Sequence, residues 1–328
     1  MHLRFKGFEA VIIFSKIPLC IARHLYSLNQ SAKPEGHSRM TNEDYLPLDH
    51  GMIPQPGETE ADYWFVFHDQ TLLVAQDATT PAIPRSRDIG NLRSRLHKSH
   101  YLGSLRGTSC HAAIIDSNEP SPEGFRFVEL RELLHLLHEE LFLMAGRALQ
   151  IVNWATNHRF CGRCGMPTIE EQKERAMRCP ACDYSSFPRL SPAIIVAIVR
   201  DGRLLLALHA RTKNGMRTVL AGYLEPGESF ESCVKREVFE EVGLRLDNIR
   251  YFGSQPWPFP DALMVAFTAD HVSGEIAANS VEILEAAWYG PDEIPEKIPG
   301  RNTVSRKLID WFVEKYGGRR IDRSSGNN

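Results

Sequence analysis

Nowhere does the chain carry an apolar run near the ~20 residues that a membrane-spanning helix needs. The stretch Ala10–Phe14 stops at Ser15-Lys16, and Pro18 follows. An excess of positive charge is also missing: 38 Lys and Arg stand against 41 Asp and Glu in 328 residues, a net charge of −3. That balance argues against a protein whose main task is to grip nucleic-acid phosphates, and leaves room only for a local basic patch. Cysteine is scarce, with seven residues, and four of them stand in two close pairs. Such usage points to a metal site in a reducing compartment, not to a secreted disulfide framework. The polar end Ser324–Asn328 lacks a peroxisomal-type tripeptide. The expected location is cytoplasmic. What is present, 43% hydrophobic and 24% charged residues, suits two or three soluble globular domains.

Residues 1–40 differ from the rest: Arg4, Lys6, Lys16, Arg23, Lys33 and Arg39 face only Glu9 and Glu35. This extension reads as an organelle-targeting leader, a stretch upstream of a start at Met40, or a disordered tail. A small α+β domain with no catalytic motif of its own is expected over 41–150. Its signals are two strands in Tyr63–Gln76 around His68-Asp69-Gln70, loop text through Pro81–Arg95, and a strand at His111–Asp116. The apolar period through Val128–Asn157 predicts an amphipathic helix that Gly146 divides in two.

Cys161 and Cys164 form one CxxC pair and Cys179 and Cys182 another, with fourteen residues between. A two-residue gap lets two thiolates turn toward one ion, and the interval suits a short hairpin. The spacing therefore predicts a zinc ribbon over 151–190. Four thiolates leave no open coordination position, so the Zn²⁺ is expected to be structural.

Beyond Pro188 and Pro192, Ala193–Val199 reads as a buried strand, Asp201-Gly202 as a hairpin turn and Leu204–Leu208 as its partner. Further strands are expected at Tyr251–Phe252, Leu263–Thr268 and Ala286–Tyr289, with a closing amphipathic helix over Thr303–Tyr316. Together they predict one α+β domain over 191–318, followed by the polar tail 319–328.

Inside that domain lies GYLEPGESFESCVKREVFEEVGL, Gly222–Leu244. Ser229 suits an N-cap and Gly243 the residue after a C-terminus, so a helix is predicted over Phe230–Val242. On it Glu237 and Glu241 share one face, with Glu240 beside them, while Val234, Val238 and Val242 form the apolar stripe. Arg236 is in reach of Glu240 or Glu228. A carboxylate cluster on a rigid helix is either a solvated face or a site for a hard cation such as Mg²⁺ or Mn²⁺.

The order Gly222, five residues, Glu228, seven residues, then Arg236-Glu237-Val238-Phe239-Glu240-Glu241-Val242-Gly243-Leu244 resembles the box of the Nudix hydrolases, enzymes that cleave diphosphates linked to a further moiety. The resemblance implies a mixed-sheet α/β/α sandwich. It also implies that Glu237 and Glu241 bind Mg²⁺ or Mn²⁺, that Glu240 is a ligand or base, and that Arg236 orients them. Downstream, SQPWPFP at Ser254–Pro260, followed by Asp261 and Ala262, is similar to the signature of the family's NADH pyrophosphatase branch. The zinc ribbon and a preceding domain fit that branch as well.

The same resemblance marks Gln255, Pro256, Trp257, Pro258, Phe259, Pro260, Asp261, Ala262 and Ser305 as substrate contacts. Phe187, Tyr223 and Trp257 are its candidates for stacking the nicotinamide, Glu282 for a further metal ligand, and Ala221 for a carbonyl ligand. Two positions depart from the branch: Ala262 stands where a serine is usual, and Phe187 where tyrosine is common. The implied activity is hydrolysis of the pyrophosphate of NADH or NAD⁺, or removal of a 5′ NAD cap from RNA, by a homodimer with no membrane partner. Two alternatives stay open, a broader nucleotide-sugar or ADP-ribose diphosphatase and a non-catalytic zinc-ribbon protein that binds nucleotides or RNA.

Overall fold

The computed structural model describes residues 48–49, 51, 58–76, 80–116, 120–212, 214–277 and 281–318. The extension 1–40 with its Met40 reading, and the tail 319–328, lie outside the described residues.

The first sheet is built from β1 (Leu48–Asp49), β2 (Tyr63–His68), β3 (Thr71–Ala75), β4 (His100–Leu105), β5 (Thr108–Ile114) and β6 (Phe125–Glu129), in the order β1-β4-β5-β2-β3-β6. Helix α1 (Glu139–Asn157) packs on it, with Phe142, Met144, Leu149 and Val152 buried against Phe65, Phe67 and Leu72. The expected hairpin at His68–Gln70 is present, with Asp69 at φ 51°.

Four expectations change here. The segment predicted as helix from Val128 begins as strand β6, continues as a 3-10 turn at Glu132–His135, and becomes α-helix only at Glu139. Leu130, Leu133, Leu134 and Leu137 still face the same core, so the apolar spacing survives without the helix. Gly146 does not divide α1, which runs through it unbroken; it is small because Pro258 leans on it. The loop text ends in a 3-10 turn at Gly90–Arg95, and the strand expected at His111 starts earlier, at Thr108.

Three two-residue strands, β7 (Ile169–Glu170), β8 (Met177–Arg178) and β9 (Ser185–Ser186), form the small antiparallel sheet of the ribbon. The third sheet contains β10 (Ser191–Arg200), β11 (Arg203–His209), β12 (Arg217–Thr218), β13 (Leu220–Tyr223), β14 (Arg245–Trp257), β15 (Ala262–Ser273) and β16 (Ile283–Tyr289). Its main path is β12-β11-β10-β15-β14, with β13 paired to β10 and β16 to β11. The turn between β10 and β11 holds Asp201 at φ 50° and Gly202 at φ 72°, the two left-handed residues that a tight hairpin requires.

Helices α2 (Phe230–Val242) and α3 (Val304–Gly317) cover opposite faces of this sheet. Alternation along β10 shows why: Ile194, Val196 and Ile198 join the α2 side, with Val234, Val238 and Val242, while Ile195, Ala197 and Val199 join Leu308, Ile309 and Phe312 of α3. The result is the mixed-sheet α/β/α sandwich that the Nudix resemblance implies. Strand β14 runs on through the SQPW of the proline-rich signature, where Pro256 is tolerated because β14 is the sheet's edge.

The two large sheets share one wiring. In each, a hairpin's first strand (β2 or β10) pairs parallel with a later strand (β5 or β15). That later strand pairs antiparallel with the strand before it (β4 or β14), and the hairpin's second strand pairs antiparallel with the last (β6 or β16). A helix follows each last strand. The C-terminal copy inserts β12, β13 and α2 after its hairpin, where the N-terminal copy has, among the described residues, the single turn Gly90–Arg95.

Candidate active site and zinc centre

Two matching turns hold the cysteines. Cys161 N–H donates to Met166 and its carbonyl accepts from Gly165; Cys179 N–H donates to Tyr184 and its carbonyl accepts from Asp183. Each turn closes on a left-handed residue, Gly165 at φ 75° and Asp183 at φ 61°. The four sulfurs lie within 4.8 Å of one another, with Cys161 to Cys182 at 3.6 Å and Cys164 to Cys179 at 3.4 Å. A tetrahedral Zn²⁺ with bonds near ~2.3 Å needs sulfur spacings of about 3.8 Å, so this donor set fits zinc with little adjustment. Cys110 and Cys233 are buried elsewhere, in the cores of the two large domains.

The Glu-rich helix is capped as its sequence suggests. Ser229 Oγ accepts from Ser232 N–H, and Gly243 ends the helix at φ 74°. Arg236 organises the acids. Its Nε and Nη2 donate to both oxygens of Glu228 at 2.8 and 2.9 Å, and Nη1 donates to Glu237 at 2.9 Å and Glu240 at 3.0 Å. Nη2 also reaches the Tyr223 carbonyl at 3.0 Å, which ties the helix to the end of β13. The guanidinium thus uses Glu228 as an anchor and gives Glu237 and Glu240 one hydrogen bond each; both partners considered for Arg236 are engaged at once.

Charge follows this geometry. The Arg236 hydrogen bonds hold Glu228 at about 2. Burial raises Glu237 above the ordinary carboxylate range, against the pull of Arg236. Glu241 is pushed up to about 8, first by burial and then by the charges of Glu237, Glu282 and Glu240. It is only 5% exposed, and its Oε2 has no hydrogen-bond partner. A buried carboxylate oxygen facing three other acids is the environment a divalent cation would relieve, and carboxylate donors suit Mg²⁺ or Mn²⁺. Among the described residues, however, only the four cysteines have ligand atoms already gathered within 4.8 Å, so the glutamates would have to draw inward.

Ala221 lies on β13 beside the box, and Glu282 stands just before β16, ion-paired with Arg211 at 3.3 Å. Tyr223 and Phe187 present exposed rings, at 52% and 53%. Trp257 is half-buried and packs with Phe259 against the core of the first domain, the two rings 5.2 Å apart edge to face. Arg131 lies over the Phe259 ring at 4.7 Å, and Pro258 is buried against Gly146. Gln255 bridges to the start of α3: its amide donates to the Asn302 carbonyl at 2.7 Å and its oxygen accepts from Val304 N–H at 2.7 Å. Ser305 is buried with its hydroxyl 2.6 Å from that of Thr218, and Ala262 is buried at the head of β15. Pro256 and Pro260 are exposed, and the Asp261 carbonyl accepts from Ser191.

Sequence reasoning did not find Asn302, whose side chain donates to the Leu134 carbonyl of the first domain at 2.8 Å while its backbone holds Gln255. A lone Asn after Gly300-Arg301 carries no spacing signal.

A family model described as a NUDIX domain matches residues 189–312. One described as an NADH pyrophosphatase-like rudimentary NUDIX domain matches 61–154, and an NADH pyrophosphatase zinc ribbon domain matches 156–187. The repeated wiring of the two sheets is thereby explained: the first domain is a Nudix fold without its helix of glutamates. The chain is 39% identical over 256 residues to a Stutzerimonas stutzeri protein named NAD-capped RNA hydrolase NudC, covering 78% of this chain and 91% of that one. A Klebsiella pneumoniae protein of the same name is 49% identical over 173 residues, 53% of this chain and 67% of that one. Among solved structures, a NUDIX hydrolase from Nitrosomonas europaea aligns with a TM-score of 0.43 at 23% identity, over 49% of this chain and 94% of that one. The chain belongs to the Nudix hydrolase family, in its NADH pyrophosphatase branch, where a rudimentary Nudix domain and a zinc ribbon precede the complete one.

Proposed function

We propose that the protein hydrolyses the pyrophosphate bond of NADH or NAD⁺ to NMN(H) and AMP, and cuts the same bond where NAD caps the 5′ end of RNA. One observation carries the reading: Glu241, buried and with an unpartnered oxygen, sits among Glu237, Glu240 and Glu282 on a helix whose acids Arg236 fixes in place. The names of the relatives support the substrate class.

Glu237, Glu241, Glu282 and the Ala221 carbonyl would hold Mg²⁺ or Mn²⁺. Such ions activate water and neutralise charge gathering on phosphoryl oxygens. Glu240, more exposed than its neighbours and held by Arg236, is positioned as ligand or base. Phe187 and Tyr223 supply free aromatic faces for the nicotinamide, and the segment Gln255–Ala262 with Ser305 shapes the pocket around it. The three regions 41–150, 151–190 and 191–318 act together, the first two carrying no catalytic carboxylates. A homodimer working in the cytoplasm completes the proposal. Among the described residues no helix is long and apolar enough to cross a membrane.

The test is a product assay on NADH, NAD⁺, ADP-ribose and NAD-capped RNA with Mg²⁺ or Mn²⁺. Release of NMN(H) and AMP from the first two is the expected result. Turnover confined to ADP-ribose or nucleotide sugars would overturn the assignment.

A further inference from the structure

The side chain of Gln255 points away from the glutamates. In the antiparallel pair of β14 and β15, Gln255 stands opposite Met264, and Pro256 opposite Leu263. Residues directly opposite one another share a face of the sheet. Met264 packs with the core under α3, whereas Leu263 packs with the core under α2, the helix that carries Glu237, Glu240 and Glu241. The Gln255 amide therefore lies on the α3 side, and backbone groups engage both of its ends there. Its Nε2 donates to the Asn302 carbonyl and its Oε1 accepts from Val304 N–H, each at 2.7 Å.

The turn that receives these bonds is fastened on both sides. Thr303 Oγ1 donates to the Gly300 carbonyl at 2.8 Å and caps α3 by accepting from Arg306 N–H at 3.2 Å. Toward the rudimentary domain, Asn302 Nδ2 donates to the Leu134 carbonyl at 2.8 Å, and the His135 imidazole fills the space where a Cβ on Gly300 would fall. Leu134 is buried in the core of that domain, so its carbonyl is a fixed point. One chain of contacts thus runs from the first domain through Asn302 to Gln255, two residues before Trp257. The segment it reaches needs such support. Pro256, Pro258 and Pro260 have no N–H to give to a ladder, so side chains must help hold residues 257–262 in place.

We propose that Gln255 and Asn302 are positioning residues, with Gln255 reading no substrate through its side chain. Together they hold the proline-rich segment at the substrate pocket, with their anchor in the rudimentary domain. The inference rests on the proposed hydrolysis of NADH and says how that pocket keeps its shape.

The test compares Asn302→Ala, Gln255→Met and the double variant on NADH at saturating Mn²⁺. Each single change should raise KM about fivefold or more, the scale of one lost hydrogen bond, and leave kcat within about twofold. Because both residues act through one relay, the double variant should be no worse than the worse single one. Hydrogen exchange gives the second readout: Asn302→Ala should speed exchange of the amides within 252–263 about fivefold or more. Gln255→Glu and Asn302→Asp, which keep the side-chain shapes and lose the amide donors, stand in for a variant that fails to fold. An unchanged KM in Asn302→Ala, or losses that multiply in the double variant, would overturn the relay and leave Gln255 acting on its own. Unaltered exchange within 252–263 would overturn it as well. The exchange measurement needs no substrate, so a protein inactive on NADH would refute the proposed activity while the relay was still decided.

Discussion

Gly222 lies so close under Glu237 that a single added methyl group would overlap the Glu237 carboxyl carbon. The glycine at the head of the box is therefore a matter of space as much as of turn geometry. Its missing side chain is the room in which a proposed metal-binding carboxylate sits. Gly222→Ala should push Glu237 out of its contact with Arg236 and lower kcat by about a hundredfold or more, on the scale of 1.4 kcal/mol per decade. Circular dichroism should remain that of the parent protein. Activity within threefold of wild type would mean that the Glu237 carboxylate tolerates displacement and is not needed where it stands.

Glu241 gives the metal-free protein a particular response to pH. Its native pKa is raised to about 8, whereas an unfolded glutamate titrates near ~4.3. Between these values the native state keeps a proton that the unfolded state has lost, so stability falls as pH rises through that window. The melting temperature of chelated protein should drop by roughly 3 °C or more between pH 5.5 and 8.5, and added Mn²⁺ should reverse the loss. Glu241→Gln should flatten this slope and abolish hydrolysis together. A variant that keeps a third of the wild-type rate at saturating metal would remove Glu241 from the catalytic set.

The ribbon should hold one Zn²⁺ per chain, measurable by elemental analysis of protein purified without chelators. Cys164→Ser opens one corner of the four-sulfur site and should lower the melting temperature by about 5 °C or more while changing low-temperature turnover little. Cys233→Ala should stay active: the thiol, buried on the core side of α2, donates to the Tyr223 carbonyl at 3.4 Å and accepts weakly from Arg236 Nη2 at 3.6 Å, a guanidinium that Glu228 already anchors with two shorter bonds. Full zinc retention in Cys164→Ser would contradict the closed site.

Two aromatics proposed for the nicotinamide should behave differently. Tyr223 is half exposed at the site, so Tyr223→Ala should cost about tenfold or more in kcat/KM on NADH, consistent with stacking worth ~1–3 kcal/mol. ADP-ribose, which lacks the nicotinamide, should suffer much less. Trp257 leans on the rudimentary domain, so Trp257→Ala should lower stability and reduce both substrates alike. Selective loss on NADH without a fall in melting temperature would return Trp257 to the base-reading role.

How much of this was legible depended on whether the signal was local. The α2 boundaries followed from Ser229 and Gly243, and the β10–β11 hairpin from Asp201-Gly202, because caps and tight turns need particular residues at particular offsets. The four cysteines were readable for the same reason. The Val128–Leu137 stretch was not, since a strand end and a 3-10 turn that face one core produce a helical apolar period. The repeat was hidden too: the two sheets share pairings, not motifs, and pairings between distant strands leave no local trace. At the site, the Arg236 fork could be anticipated from spacing. The packing of Trp257 on another domain and the bridge through Asn302 could not.

Gly146 tests whether the rudimentary domain supports the substrate segment. A Cβ built there would come 2.8 Å from Pro258 Cγ, and Pro258 is flanked by Trp257 and Phe259, which pack on the same domain. The helix itself would gain by roughly 1 kcal/mol from Gly146→Ala, since alanine is the better helix former. The contact with Pro258 works against that gain, because proline is rigid and its neighbours are pinned. Gly146→Val should shift the segment Gln255–Ala262 outward, raise KM for NADH about tenfold and leave metal affinity at the glutamates unchanged. Measurement of kcat, KM and the Mn²⁺ requirement on one preparation separates these effects. If KM stays constant while stability alone falls, Gly146 serves only the packing of the two domains, and the rudimentary domain has no part in shaping the substrate pocket.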